Sequence, residues 1–366
     1  MNHISGLLAT TFFLIPFDSF SQDWPTFRRD SGRTGFVNAE LDPARFEQKW
    51  IWKSQLPPEP AWDGPARWDA YAEIKDLPAM RQYDACFHPV SDGNTVYFGS
   101  SSQDTLYALD QTTGKQKWFF VAGGPIRIAP TLHEDSILFG SDDGNAYCLD
   151  KTSGNLVWKF NPSEHSKAEQ RRVINNDRLI SFYPVRTGIV VRDKIAYFAA
   201  SFLPWRESYL CGIDVESGSL RESQPHFVSR HENATLEGPI LIAEERLIVP
   251  QGRIAPLLFD RTNGSKLGNL PGGGGVTIVV TEKGNVARAE GGRAARPGQL
   301  GVFKGKERVA SFPKGRSLVV RDQAFYVIDG EKIFAASRKA NEILWQRDFE
   351  EPLEIIVVGQ NVIVGG

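Results

Sequence analysis

Cysteine is scarce in this chain, with three in 366 residues, Cys86, Cys148 and Cys211, and there is no C-x-x-C, no C-x-x-C-H and no adjacent pair. That spacing supports neither a zinc site, nor an attached c-type haem, nor a disulfide scaffold. Two of the three sit in the strand-like runs AYCLD and YLCGID, where a buried, inert thiol is expected. Net charge is also slight, at −2 from 42 basic and 44 acidic residues. There is no basic field of the kind that gathers nucleic acid, which is therefore not expected as a partner. The most charged stretch, SEHSKAEQRR at 163–172, mixes signs and reads as a solvated loop. The six histidines show no metal spacing, and no nucleophile elbow occurs. No apolar run is long enough for a membrane helix.

The apolar run at 4–17 (ISGLLATTFFLIPF), followed by Ser19-Phe20-Ser21 as a small-x-small cleavage site, makes residues 1–21 an expected secretory leader. Only the α-amino group and His3 stand where Lys or Arg usually does. The expectation is export to the bacterial periplasm or beyond, with no transmembrane segment in the mature chain. Residues 22–46 then read as a lead-in and 47–366 as the folded body.

Glycine and proline are frequent, aromatics reach 11 %, and short Val- and Ile-rich runs are separated by Gly, Asn, Asp and Ser. This is an all-β pattern with many turns. Two adjacent segments, 94–120 and 136–160, match closely. Tyr107 and Tyr147, Asp110 and Asp150, Gly114 and Gly154, and Trp118 and Trp158 each differ by 40 residues. A fixed period of that size marks a propeller blade or a solenoid unit. Four short strands fit in each unit, and the turn before the last is explicable. The aspartate accepts backbone N–H groups, the glycine supplies positive φ, and the tryptophan packs between blades. Asp214 with Gly218 and Asp260 with Gly264 mark a third and a fourth copy. A fifth is eroded, a sixth ends near Trp345 with Asn341 at the glycine position, and a seventh stops at Gly366 before its third strand. The expected fold is an all-β propeller of four-stranded blades, about six recognisable plus a partial seventh, in a ring of seven or eight. Gln48-Lys49-Trp50-Ile51-Trp52 reads as an outermost strand donated from the N-terminus. The chain is expected to be incomplete at its C-terminus.

The unit A-L-D-x-x-T-G-x-x-x-W, here Ala108 to Trp118, resembles the pyrroloquinoline-quinone (PQQ) repeat. That family includes quinoprotein dehydrogenases and the outer-membrane assembly propeller of the BAM complex. The segment 23–35 (DWPTFRRDSGRTG) resembles the lead-in that precedes many such propellers. The resemblance implies the fold strongly and the function weakly, because function sits in loops grafted on the fold. In the dehydrogenases, a vicinal disulfide and a Trp sandwich the cofactor, while carboxylates and an Asn hold calcium beside a catalytic Asp. This chain has no vicinal cysteine pair, and no acidic cluster can be assigned to those positions. No catalytic residue, metal or cofactor is expected, and PQQ with calcium is kept as the alternative.

Strand direction sorts the loops by face. Loops joining strands two and three, and those joining strand four to the next blade, share one face. The insertions at 62–83, 161–182 and 202–208 all fall there. So do Arg127, Arg186, Arg206 and Arg253, with Trp62, Trp68, Tyr71 and Trp205. Arginines and aromatics at a channel mouth suit an anionic, glycan or peptide ligand. The plainer reading is that each Arg satisfies loop carbonyls and each Trp covers a blade edge. The expected function is a non-enzymatic binding or scaffold module for a protein, peptide or glycan. A PQQ-dependent oxidoreductase with a divergent site is the alternative.

Overall fold

The turn that marks the first four repeats closes by shared local bonds. Asp110 accepts the N–H groups of Thr112 and Thr113 at 3.1 and 2.8 Å, and the Thr113 hydroxyl at 2.9 Å. Gly114 donates its N–H to the Asp110 carbonyl at 2.8 Å, with φ at +67°. Asp150–Gly154, Asp214–Gly218 and Asp260–Gly264 repeat the backbone bond at 2.8 to 2.9 Å. The glycine's missing Cβ matters in a second way. A Cβ on Gly114, Gly154 or Gly218 would lie 2.5, 2.7 or 2.5 Å from the rings of Trp50, Trp118 and Trp158. On Gly264 it would lie 2.4 Å from Phe227. Each indole also donates its N–H across the joint, Trp50 to Gln111 at 2.8 Å, Trp118 to Lys151 at 3.1 Å and Trp158 to Val215 at 2.9 Å. One repeat's aromatic wedge thus docks on the next repeat's turn.

The computed structural model describes residues 23–61, 84, 86–221, 225–252, 254–270, 278–280, 286–289, 300–321, 323–339 and 342–365. The expected leader lies outside these. Six antiparallel sheets of four strands follow in chain order. Blade one runs from Val90–Ser91 to Gln116–Val121, blade two from Thr131–His133 to Leu156–Phe160, and blade three from Val190–Arg192 to Phe227–His231. Blade four spans Leu241–Ala243 to Lys266–Asn269, blade five Ile278–Val280 to Glu307–Phe312, and blade six Gly315–Arg321 to Ile343–Asp348. Blade seven contributes Glu354–Val358 and Asn361–Gly365. The architecture is the expected β-propeller. Its core lies between blades: Leu106, Ala108 and Tyr97 of blade one pack with Ile137, Phe139 and Tyr147 of blade two, and comparable clusters join each later pair.

The N-terminal contribution differs from expectation. Residues 48–52 form no strand. Trp50 nevertheless takes the wedge position against Gly114, and Trp52 packs on Phe87, just before blade one, and on Phe98 and Tyr107 of that blade. The strand that is donated is Phe36–Val37, paired in parallel with Glu354–Val358. The lead-in has a larger role than its sequence suggested. Its backbone bonds Ser91 of blade one, Leu132 of blade two, Ile242 of blade four, Val280 of blade five and Val357 of blade seven, at 2.7 to 3.0 Å. Arg28 reaches Leu318 O and Ser317 Oγ of blade six at 2.6 and 2.8 Å. Most of these contacts fall where a first strand enters its hairpin, so the lead-in ties the blades together on the side opposite the insertions.

Candidate functional site

On the insertion-bearing face the inter-blade connections carry charged side chains into the interior. Arg127 lies between blades one and two, and Arg186 between blades two and three. Asp142 stands in the turn between strands two and three of blade two, Glu237 just before blade four, and Asp84 before blade one. All five side chains are at most 1 % exposed. Arg186 grips Asp142 with two parallel bonds, Nε to Oδ1 and Nη2 to Oδ2, both 2.7 Å. Arg127 Nε donates to Asp142 Oδ2 at 2.7 Å, and its Nη1 donates to Asp84 Oδ2 at 2.8 Å and to the Glu59 carbonyl. Arg186 Nη1 reaches Glu237 Oε1 at 3.3 Å. Bidentate Arg–carboxylate pairing of this kind is the strongest form of charge-assisted hydrogen bond.

The electrostatics follow from the geometry. Burial pushes the Asp142 carboxyl up, but Arg127 and Arg186 outweigh it and hold the group below the ordinary carboxylate value. Asp84 goes the other way: burial dominates, and the Arg127 charge and the Ala61 N–H offset it only in part, so its carboxyl lies above the ordinary value. Among the described residues, Asp84 Oδ1 and Arg127 Nη2 find no hydrogen-bond partner.

A strap covers the network. Asn161 caps the short helix Pro162–His165, and the chain then forms a hairpin from Arg172–Asn175 and Arg178–Ser181. Its tip is tied across the mouth. Asn175 Nδ2 donates to Ala61 O at 2.8 Å, Asn176 Nδ2 to Pro60 O at 3.0 Å, and Arg178 to Ser102 O at 2.9 Å and to Asp104. Its root is aromatic: Phe182 meets Phe202 edge-on at 6.2 Å, Arg186 lies over Phe202 at 5.5 Å, and Arg206 lies over Phe182 at 5.2 Å. The hairpin's outer side shows Ile174 and Leu179, direct cross-strand partners, 69 % and 56 % exposed. Trp205 is 57 % exposed and Ile254 44 % on the same face.

Of the residues named from sequence, Arg127 and Arg186 meet in the buried network, and Arg206 and Trp205 flank it. Trp62, Trp68, Tyr71 and Arg253 lie outside the described residues. Sequence reasoning missed the acceptors Asp84, Asp142 and Glu237. Asp142 was legible only as part of a D-D-G-N turn, and nothing local showed that Arg127 and Arg186 would converge on it.

A calcium–quinone pair needs several carboxylate oxygens converging on one point. Here the guanidinium groups of Arg127 and Arg186 stand between the carboxylates. Among the described residues no group of three or more His, Cys, Asp or Glu could hold a metal ion. The three cysteines are free, so no pair stacks as a disulfide. The described residues do not fit that pair.

Repeat, blade and wedge together define a β-propeller of the PQQ-repeat class. A family profile described as outer membrane protein assembly factor BamB matches residues 49–288, well over half of the chain, and the protein belongs to that family. Among curated proteins, a quinoprotein ethanol dehydrogenase of Pseudomonas aeruginosa is 33 % identical over 85 residues, 21 % of this chain and 13 % of that protein. A tetrathionate hydrolase of Acidithiobacillus ferrooxidans is 32 % identical over 54 residues, 15 % and 11 % of the two chains. The matched segments thus span about an eighth of those relatives' length or less. Among solved structures, BamB from Moraxella catarrhalis superposes with a TM-score of 0.50 at 13 % identity, over 75 % of this chain and 77 % of that one. A europium-containing methanol dehydrogenase gives 0.50 at 9 % identity, over 92 % and 86 %. At such identities the structural likeness speaks to the fold alone.

Proposed function

We propose that this propeller is a non-enzymatic binding module, exported to the periplasm or beyond, that holds a protein, peptide or glycan on its insertion-bearing face. One observation carries the reading. At the mouth, Arg127 and Arg186 are engaged by Asp142 and Asp84, while the rim around them presents Ile174, Leu179, Trp205 and Ile254 to solvent. A closed ionic centre inside an apolar rim suits contact with a surface better than engulfing a small substrate. No helix among the described residues is long and apolar enough to cross a membrane. The alternative, a PQQ-dependent oxidoreductase, draws on the ethanol dehydrogenase match. The rim is tested with peptide and glycan arrays probed by the wild-type chain and by a variant carrying Ile174→Ser, Leu179→Ser and Trp205→Ala. Binding that is lost in the variant, with the thermal melt unchanged, supports the reading; binding that survives it contradicts the rim assignment.

A further inference from the structure

The wedge is not present at every joint. The register aligns one position in each fourth strand: Trp118 opposite Ala108, Trp158 opposite Cys148, Phe227 opposite Gly212, Gly268 opposite Leu258, Ala310 opposite Val302 and Trp345 opposite Ala335. Blades one, two, three and six thus offer an aromatic, blade four a glycine and blade five a methyl group. Ala310 packs with Phe312, Phe334 and Ala336, and those three line a cleft of about 1160 Å³ between blades five and six. Phe312, Phe334, Ala336, Pro352 and Leu353 give it an apolar lining. Such a volume is slightly above the usual range of ligand-sized pockets, about 300–1,000 Å³. Its lining at 313–314, 330–331 and 351–353 comes from loops of the insertion-bearing face.

We propose that this cleft is an anchor site for a partner peptide, taking a bulky aromatic side chain flanked by a cationic residue. The aromatic preference comes from the repeat itself. Where blades one, two, three and six present their own ring, this one has room for a ring supplied from outside, with Phe312 and Phe334, packed on each other at 5.7 Å, as one aromatic wall. The cationic preference comes from the lining, where Asp329, Glu331 and Glu351 face Lys314 and Lys332. Asp329 already receives the Lys314 backbone N–H and its charge, which leaves Glu331 and Glu351 as the freer acids against one lysine. The proposal rests on the binding-module reading and deepens it, by naming a second contact and its chemistry.

The test titrates the full chain calorimetrically with tryptophanyl-lysinamide and, in parallel, with tryptophanyl-glutamamide. Saturable binding that prefers the lysine probe by about two- to five-fold is expected, the scale of an exposed ion contact. Glu331→Lys with Glu351→Lys, both exposed positions, should abolish or reverse that preference while leaving the melt in place. Ala310→Trp should fill the slot from within and remove binding of both probes; if it does not fold, the charge-reversal variant decides alone. Absence of saturable binding at millimolar probe, equal affinity for the two probes, or full binding by folded Ala310→Trp would overturn the proposal. None of these outcomes depends on Ile174, Leu179 or Trp205. Loss of array binding in the rim variant would then leave the broader reading standing without this anchor.

Discussion

Replacing Asp142 by Asn keeps the volume of the side chain and removes its charge. Three bonds of 2.7 Å from Arg127 and Arg186 then meet an amide that can accept on one side only, and its NH2 faces guanidinium donors. Both guanidiniums remain buried. Removing one partner of such a pair costs about 3–5 kcal/mol, because the other charge is left uncompensated. For a chain of this size that corresponds to a fall in melting temperature of roughly 4–7 °C. Calorimetric or CD melts at neutral pH measure it, with Glu47→Gln, from an exposed ion pair, as the control expected to change stability by less than about 1 kcal/mol. The effect has a pH signature. The folded-state carboxyl of Asp142 lies below its unfolded value, so its contribution is present above about pH 4 and is lost as pH falls through the folded value. Asp150 and Asp260, held low by their turn hydroxyls and N–H groups, act in the same direction. Asp84, raised by burial, acts oppositely, because its protonation on acidification relieves the fold. Wild type should therefore lose stability more steeply than Asp142→Asn between pH 5 and pH 3. An Asn variant within about 0.5 kcal/mol of wild type at pH 7 would refute the argument that this network is a compensated buried charge cluster.

Arg33, 1 % exposed, donates to Ile240 O, Thr26 Oγ1, Phe27 O and Asp30 O, and burial, opposed by Asp30, lowers its pKa to about 10. Arg33→Met orphans these acceptors and should cost more than about 3 kcal/mol, with new proteolytic cleavage in 23–37 as the accompanying readout. Gly154→Ala combines a φ of +73° with a 2.7 Å approach to Trp118 and should cost about 2–3 kcal/mol and alter the tryptophan fluorescence. Gly305→Ala, at φ +61° with nothing within 4 Å of the new Cβ, should cost only about 1 kcal/mol, measured by the same denaturation series.

What the sequence made legible was what is settled locally. The Asp-x-x-Thr-Gly turn depends on atoms within five residues, so Asp110, Asp150, Asp214 and Asp260 could be placed with their glycines from the residue pattern alone. The blade and its wedge followed from Trp118 and Trp158. Blade five was harder to see because it lacks both the aspartate–glycine turn, having Lys304-Gly305-Lys306 there, and the aromatic, having Ala310 in its place. Long-range partners were illegible. Arg127 and Arg186 stood out as unusual residues before their strands, but Asp142 looked like an ordinary turn aspartate, and its bond to Arg186 spans 44 residues. The lead-in likewise read as a family mark. Nothing in DWPTFRRDSGRTG showed that Arg28 would cross to Leu318, or that Trp50 would sit on Gly114 without belonging to a strand.

The central claim is that the mouth of this propeller is closed by its own ion pairs and holds partners on its rim. Calorimetric titration of the full chain with PQQ and Ca²⁺, coupled to a dye-linked alcohol oxidation assay, tests it most directly. The account predicts no saturable binding at high micromolar cofactor and no turnover; saturable binding with turnover, lost on Asp142→Asn, would contradict it and make the network a cofactor site.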